Sequence, residues 1–191
     1  MTEIQRDLKS ILKSRIGKGK IIILIGPRQV GKTTLFKSMI SEAGFLDTAQ
    51  YWNCDESDVR SMLTKESSAH FRPLIGKSKF IVIDEAQHVK NIGLILKILY
   101  ENFQDVQFAV TGSSSLDPSN TLNEPLTGRK FEYNIFPFST NELVHNSSML
   151  DEIRQLETRL VYGFYPDVVN NPGDEKEILS NIVSSYLYKD V

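Results

Sequence analysis

One nine-residue stretch decides how this chain folds: Gly26-Pro27-Arg28-Gln29-Val30-Gly31-Lys32-Thr33-Thr34. It fits the pattern G-x-x-x-x-G-K-[ST], and it stands between the apolar run Ile21 to Ile25 and a segment with helical periodicity. A strand, a glycine-rich turn and a helix in this order form a phosphate-binding loop. We therefore expect all nine residues to contribute to binding the phosphates of a nucleotide.

The residue types in this loop suit that chemistry. Glycine at Gly26 and Gly31 lets backbone N–H groups approach a phosphate with no Cβ in the way. Lys32 is expected to supply a positive charge to the β- and γ-phosphates, beside the partial positive charge of the helix N-terminus. Thr33 is expected to offer its hydroxyl to Mg²⁺.

An acidic pair follows a second apolar run. Lys79 to Ile83 predicts a strand, and Asp84 and Glu85 come directly after it. Ligands of open α/β sheets bind at the carboxyl ends of the strands, so this pair should face the phosphate-binding loop. Asp84 is expected to hold Mg²⁺ through its water shell, and Glu85 to act as the base beside an attacking water. Capping of the next helix is the alternative.

A cluster of hydroxyl groups, Thr111-Gly112-Ser113-Ser114-Ser115, ends the predicted strand Val106 to Val110. It is placed to hydrogen-bond a γ-phosphate or the attacking water and so to sense the nucleotide. A serine- and glycine-rich turn has the same composition, and the sequence does not choose between Thr111, Ser113 and Ser114.

Arg129 is the candidate for a cation that acts on the transferred phosphate. It lies between a polar, exposed loop predicted over Leu116 to Pro125 and a fifth strand predicted over Lys130 to Phe136. It would act in its own subunit or across an interface. An ordinary surface arginine is the alternative.

Periodicity and turn residues predict the other elements. A strand is expected over Ala49 to Asn53, and the acids Asp55, Glu56 and Asp58 indicate a helix N-terminus. Further helices are expected over Thr2 to Ile16, Asn91 to Gln104, Ser139 to Val144, Leu150 to Val161 and Glu175 to Leu187. We divide the chain into a core, residues 1–137, and a helical segment, residues 138–191. No residue closes the last helix, so the natural protein is expected to continue.

Composition narrows the function classes. The net charge of −2 gives no support to non-specific nucleic-acid binding, although the stretch from Lys9 to Lys20 carries five basic residues and no acid. That stretch is either a solvated helix face or a contact for phosphate or nucleic acid. The longest apolar runs are too short to cross a membrane, so no membrane partner is expected. The single cysteine, Cys54, is interpreted as a buried residue of a protein in the reducing cytoplasm.

The chain resembles the predicted ATPases of the AAA+ superfamily from bacteria and archaea, a group that usually carries a C-terminal domain of unknown function. The resemblance rests on residues 26 to 34, 83 to 87, 111 to 115, 127 to 129 and 163 to 167. It implies an α/β fold, a three-layer α/β/α sandwich with a mainly parallel five-stranded sheet followed by C-terminal helices. It also implies ATP as ligand, metal and catalytic roles at Asp84 and Glu85, a sensor near Ser113 and a role for Arg129.

These features predict a Mg²⁺-dependent ATPase that acts as a nucleotide-driven switch, with ATP and ADP as ligands and a homo-oligomer or a protein as partner. The alternative is a nucleic-acid-associated ATPase, since Asp-Glu-Ala-Gln and Thr-Gly-Ser resemble helicase motifs, but a helicase of that type needs a second motor domain. A small-molecule kinase would need an arginine-rich lid, and residues 116 to 125 contain no Arg or Lys. A GTPase would need Asn-Lys-x-Asp, which the sequence lacks.

Overall fold

The computed structural model describes residues 4–113 and 123–187. The chain forms two compact units. The larger unit comprises Leu8–Arg28 and Lys32–Ile135, and the smaller one contains the described parts of Met1–Asp7, Gln29–Gly31 and Phe136–Val191.

The larger unit is organised around a sheet of five parallel strands. In chain order they are β1 (Ile21–Ile25), β2 (Ala49–Asn53), β3 (Phe80–Asp84), β4 (Gln107–Gly112) and β5 (Lys130–Asn134). Their order across the sheet is β2-β3-β4-β1-β5, and all four pairings are parallel. The predicted fold class, with a five-stranded parallel sheet, is confirmed.

Burial on both faces explains why the sequences of the central strands are runs of apolar residues. Every residue of β1 is buried, and so are the first four residues of β3. A parallel strand covered on both faces needs apolar side chains at every position, because neither face meets water. Strand β5, at an edge, instead alternates between half-buried and exposed residues.

Among the described residues, the larger unit contains all but the first residue of α1 (Asp7–Lys13), together with α2 (Lys32–Glu42), α3 (Ser57–Leu63), α4 (Ser68–Ile75), α5 (Ile92–Asn102) and α6 (Asn123–Leu126). The hydrophobic core is formed by the sheet and side chains such as Phe71, Leu96 and Leu126. Helix α4 was not predicted, and it contains Pro73. Helix α6 lies partly within the predicted exposed loop, of which residues 116–122 are outside the described range.

The prediction of a helix from Thr2 to Ile16 is wrong at both ends. Helix α1 begins only at Asp7, because Ile4 packs with Phe138 and Leu143 of the smaller unit. It ends at Lys13 in a series of turns that reach Gly17, whose φ of 72° lies in the left-handed region.

The smaller unit consists of short helices: α7 (Thr140–Asn146), α8 (Met149–Arg154), α9 (Leu156–Tyr162), α10 (Pro166–Asn170) and α11 (Glu175–Leu187). Ser139 and Glu142 form a capping box that begins α7. The single helix predicted over Leu150 to Val161 is wrong, because Gln155, with ψ near 0°, separates α8 from α9. None of the helices in the described ranges is long and apolar enough to span a membrane.

Candidate functional site

The phosphate-binding loop connects β1 to α2, as the motif predicts. Within it, Gln29 and Gly31 have positive φ values of 63° and 91°, and α2 begins at Lys32. Left-handed backbone in a short loop turns successive N–H groups toward one side, which is the geometry of an anion-binding loop. A Cβ on Gly31 would meet no other atom within 4 Å. Glycine is therefore needed there because of the positive φ and not because a side chain would clash.

Gly26 is needed for a different reason from the one its motif indicates. A Cβ on Gly26 would lie 2.7 Å from Cγ2 of Ile135 and closer still to the carbonyl oxygen of Ile135. Ile135 is held there because its N–H donates to the carbonyl of Ile25 at 2.8 Å. The close approach that excludes a side chain at Gly26 is therefore to the protein's own backbone, at the end of β5.

We expect Gly26→Ala to lower the free energy of unfolding by about 2–3 kcal/mol, because a backbone carbonyl cannot move aside for the new Cβ. Gly31→Ala is the matched control, and its unfavourable φ should cost about 1–2 kcal/mol. Urea denaturation of both variants measures the difference. A Gly26→Ala protein as stable as the parent would show that the contact with Ile135 is easily relieved.

Lys32 is buried, with its side chain only 3% exposed. Its ammonium donates to the carbonyls of Gly26 and Pro27, both at 2.9 Å, and lies 3.6 Å from Oε1 of Glu85. Burial lowers the pKa of Lys32, while the carboxylates of Glu85 and Asp84 act in the opposite direction. The lysine is thus a desolvated cation within reach of two acids, and it interacts more strongly with an anion there than it would in water.

Asp84 is the last residue of β3 and accepts hydrogen bonds from two threonines. Thr33 Oγ1 donates to Oδ2 of Asp84 at 2.7 Å, and Thr111 Oγ1 donates to Oδ1. The loop and the acid are not on adjacent strands, because β4, which carries Thr111, lies between β1 and β3. Three neighbouring strands thus bring Thr33, Asp84 and Thr111 together at the carboxyl edge of the sheet.

Glu85 has an unusual backbone, with φ of 53° and ψ of 45°. A left-handed conformation at a non-glycine residue costs on the order of 1–3 kcal/mol and is held by its surroundings. Here the N–H of Glu85 donates to Thr111 Oγ1 at 3.0 Å, and its Oε2 accepts from Gln87 Nε2 at 2.6 Å. The carboxylate is consequently fixed beside Lys32 and does not cap the following helical turn, which shows no side-chain cap.

The hydroxyl cluster is only partly within the described residues, since Ser114 and Ser115 lie outside them. Strand β4 continues to Gly112, beyond the predicted end at Val110. Thr111 is fully buried and contacts both acids, whereas the N–H of Ser113 donates to Oε1 of Gln87 at 3.2 Å. The structure therefore places Thr111 at the acidic pair and connects Ser113 to it through Gln87.

Arg129 lies at the opposite edge of the sheet. Its carbonyl accepts from the N–H of Ile21, the first residue of β1, whereas the phosphate-binding loop follows the last residue of that strand. Five residues of strand separate the two ends by roughly 16 Å. The guanidinium is paired with Glu101 at 3.1 Å. The expectation that Arg129 acts on a phosphate in its own subunit is therefore wrong, and the action across an interface stays a prediction.

Cys54 is buried, as its interpretation requires, and lies beside the acidic pair. Its N–H donates to the carbonyl of Asp84 at 2.9 Å. Burial, with a further contribution from Asp84, raises the pKa of the thiol to about 12. The cysteine therefore stays protonated and unreactive at neutral pH.

Contacts within the larger unit bear on two predictions about surface residues. Helix α3 begins at Ser57 with Asp58 in its first turn, as the acids indicate, but Glu56 at its N-cap makes no side-chain cap. The basic stretch is largely paired, since Lys9 and Lys13 both bind Glu42. Arg15 lies over the ring of Phe131. Most of this stretch is thus neutralised or packed on an aromatic ring.

The phosphate-binding loop follows β1, and the acidic pair lies at the same edge of the sheet, two strands away at the end of β3. This arrangement defines a P-loop protein of the α/β class. Residues 18–144 match the family model described as AAA domain. The chain therefore belongs to this family, within the AAA+ P-loop ATPases.

Curated relatives are similar over parts of their length. An uncharacterized protein of Haemophilus influenzae is 25% identical over 189 residues, which is 90% of this chain and 46% of the relative. An uncharacterized protein of Mycobacterium tuberculosis is 28% identical over 126 residues, which is 65% of this chain and 27% of the relative. The chain thus spans between about a quarter and a half of the length of these relatives.

Among solved structures, a DNA replication initiation factor is similar with a TM-score of 0.50 and 17% identity, covering 83% of this chain and 60% of that one. At this level of identity the similarity supports the fold alone.

Proposed function

We propose that this chain is a Mg²⁺-dependent ATP hydrolase that works as a nucleotide-driven switch. The observation that carries the proposal is the convergence of Lys32, Thr33, Asp84 and Glu85 at the carboxyl edge of the sheet. A buried cation, a hydroxyl and two carboxylates are the groups that hydrolysis of a triphosphate requires.

The residues present fit a triphosphate. The Lys32 ammonium donates to loop carbonyls, which are neutral acceptors, so it keeps a positive charge that only nearby carboxylates offset. Phosphate oxygens are stronger, charged acceptors, and their hydrogen bonds with an ammonium are roughly twice as strong as neutral ones. Exchange of carbonyl partners for phosphate oxygens would therefore favour nucleotide binding.

The residues also fit Mg²⁺. The Thr33 hydroxyl lies 2.7 Å from Asp84 Oδ2, so the hydroxyl would hold the ion and the carboxylate would hold its water shell. The described residues contain no group of three or more His, Cys, Asp or Glu side chains suited to a metal. This agrees with a Mg²⁺ site that few protein ligands form and that phosphate oxygens and waters complete. The ion would neutralise charge on the phosphates.

Glu85 is the proposed base or orienting group for the attacking water. Its carboxylate is fixed by Gln87 and is 18% exposed, so a water molecule can reach it. Asp84 is less suited, because both of its oxygens already accept from threonine hydroxyls. The two acids thus differ in their partners: Asp84 accepts from two hydroxyl groups, whereas Glu85 accepts from the amide of Gln87 and lies beside Lys32.

The proposed switch begins with the hydrogen bonds of Gln87. Gln87 donates to the Glu85 carboxylate and accepts from the N–H of Ser113, which precedes the segment 114–122. A change of the bond at Glu85 on γ-phosphate loss would alter the partner of Ser113. ATP turnover would thereby be coupled to the connection between β4 and β5.

Nucleic acid stays a weaker alternative, because the basic stretch from Lys9 to Lys20 is largely paired. Stimulation of ATP hydrolysis by DNA or RNA would favour it.

The test is a measurement of ATP binding and turnover with and without Mg²⁺. The parent protein should hydrolyse ATP only with Mg²⁺, and Lys32→Ala should weaken ATP binding by at least about 10-fold, since charge-assisted bonds contribute about 1.5–3 kcal/mol each. Lys37→Ala, on the same helix, is the control and should bind normally. Unchanged binding by Lys32→Ala would contradict the site.

A further inference from the structure

Helices α8 and α9 direct their apolar side chains to solvent. Six of these side chains are between 54% and 77% exposed: Met149, Leu150, Ile153, Leu156, Leu160 and Val161. Their spacing of three or four residues places them along one stripe across both helices. We call this stripe the α8–α9 face.

The same helices carry one ion pair that is turned inward. Glu152 and Arg159 pair at 3.1 and 3.3 Å, with side chains only 9% and 12% exposed. They line a cavity of about 310 Å³ together with Ile4, Leu143 and Val169. A surface helix normally buries its apolar side and exposes its charges. On α8 and α9 six apolar side chains are exposed instead, which indicates that a partner covers them.

The extent of the α8–α9 face supports a specific interface. Six side chains of this exposure amount to on the order of 600 Å², the upper end of apolar patches on monomers. A standard interface removes about 800 Å² from each partner. The face and its polar rim are thus of the size that a pairing surface needs.

The pattern of the face is nearly palindromic. Counted from Gln155, the apolar residues stand six, five and two positions before it and one, five and six positions after it. A two-fold axis near Gln155 would therefore place the Met149 end of the stripe in one copy against the Val161 end of the stripe in the other copy. In an isologous contact residue i of one copy meets residue j of the other and j meets i, so this pattern brings apolar side chains onto apolar side chains.

The rim charges fit the same symmetry. Arg154 and Glu157 are both exposed and flank Gln155 on opposite sides. In an antiparallel pair, Arg154 of one copy comes close to Glu157 of the other, and the symmetry repeats the contact. Arg154, whose ion pair with Asp151 is exposed, would thus also meet an opposite charge in the partner copy.

We propose that the α8–α9 face is the surface through which two copies of this chain pair in an antiparallel, two-fold arrangement. The pairing uses no residue of the phosphate site, so it is independent of nucleotide. An alternative occupant is additional chain, because the curated relatives are more than twice as long as the stretch that they share with this chain.

Sedimentation velocity across a concentration series, without nucleotide, tests the pairing. The parent chain should form dimers, and Leu160→Glu should raise the dimer dissociation constant by at least about 30-fold, because the two-fold axis buries the new charge twice among apolar side chains. Leu46→Glu is the matched control, because Leu46 is 66% exposed but lies in the larger unit, and it should leave the dimer intact. Circular dichroism confirms that each variant is folded.

A charge exchange tests the symmetry itself. Arg154→Glu alone should weaken the dimer, and the double variant Arg154→Glu/Glu157→Arg should restore it. A parent chain that stays monomeric overturns the proposal and favours additional chain as the occupant. A dimer that Leu160→Glu does not weaken, or that the charge exchange does not restore, overturns it as well.

Discussion

Glu85→Gln is expected to lower kcat for ATP hydrolysis by at least about 100-fold while ATP binding persists, because a positioned base contributes 10²–10⁴-fold. The amide keeps the shape and the hydrogen-bonding oxygen of the side chain but cannot take a proton from water. Binding should be unchanged or tighter, since the substitution removes a negative charge 3.6 Å from the Lys32 ammonium. Fluorescent-nucleotide binding and steady-state phosphate release measure the two effects separately.

Glu56→Gln is the matched control, because Glu56 is an exposed acid that follows the carboxyl end of β2 at the same edge of the sheet. It should hydrolyse ATP at the parental rate. If Glu85→Gln turned over normally while the parent required Mg²⁺, Glu85 would not be the base. If it lost binding and turnover together, its role would be structural support for Lys32.

The strands and the phosphate-binding loop were predictable because each is encoded within a few consecutive residues. Ile21 to Ile25 is an apolar run and Ala49 to Asn53 a partly buried one, and both form strands. The parallel arrangement then brings strand ends to one edge, so the meeting of Thr33 with Asp84 also follows from the sequence pattern. The catalytic and metal roles of these residues stay predictions.

Properties that depend on neighbours distant in sequence were not predictable. Ile135 decides that Gly26 must be a glycine, yet it is more than a hundred residues away. Thr111 differs from Ser113 because β4 continues for two residues beyond its predicted end, which keeps Thr111 buried against Asp84. A shift of two residues in a strand end decides which hydroxyl reaches the acid, and strand ends are the least certain part of a sequence pattern.

The outward-facing stripe of α8 and α9 shows a different limit. Periodicity correctly indicates helical structure with one apolar face, but it does not say whether that face meets the core or a partner. The exposed fractions of the apolar side chains in the folded structure distinguish the two cases.

The placement of Arg129 could have been deduced from the sequence, because it precedes a strand parallel to β1 and so must lie at the amino edge of the sheet. An arginine that acts on a phosphate from there must act on a neighbouring subunit. We therefore expect Arg129→Ala to lower kcat by at least about 1,000-fold in an assembled protein, the lower end of the effect of such an arginine, with ATP binding retained.

Two controls accompany the Arg129→Ala variant. Arg72→Ala removes another arginine that lies over an aromatic ring, and Glu101→Gln breaks the ion pair of Arg129 without removing the guanidinium.

Mixing two inactive variants decides between action across an interface and a structural role. In an assembly of Arg129→Ala and Glu85→Gln subunits, a site with an intact Glu85 can receive an intact Arg129 from its neighbour. Random assembly at equal amounts should place both groups at about a quarter of the sites, so hydrolysis should return to about a quarter of the parental rate. Such contacts must run head to tail around the assembly, which makes them distinct from the two-fold pairing of the α8–α9 face. If the mixture stayed inactive although sedimentation showed co-assembly, Arg129 would not act in trans, and its pairing with Glu101 would be its whole role.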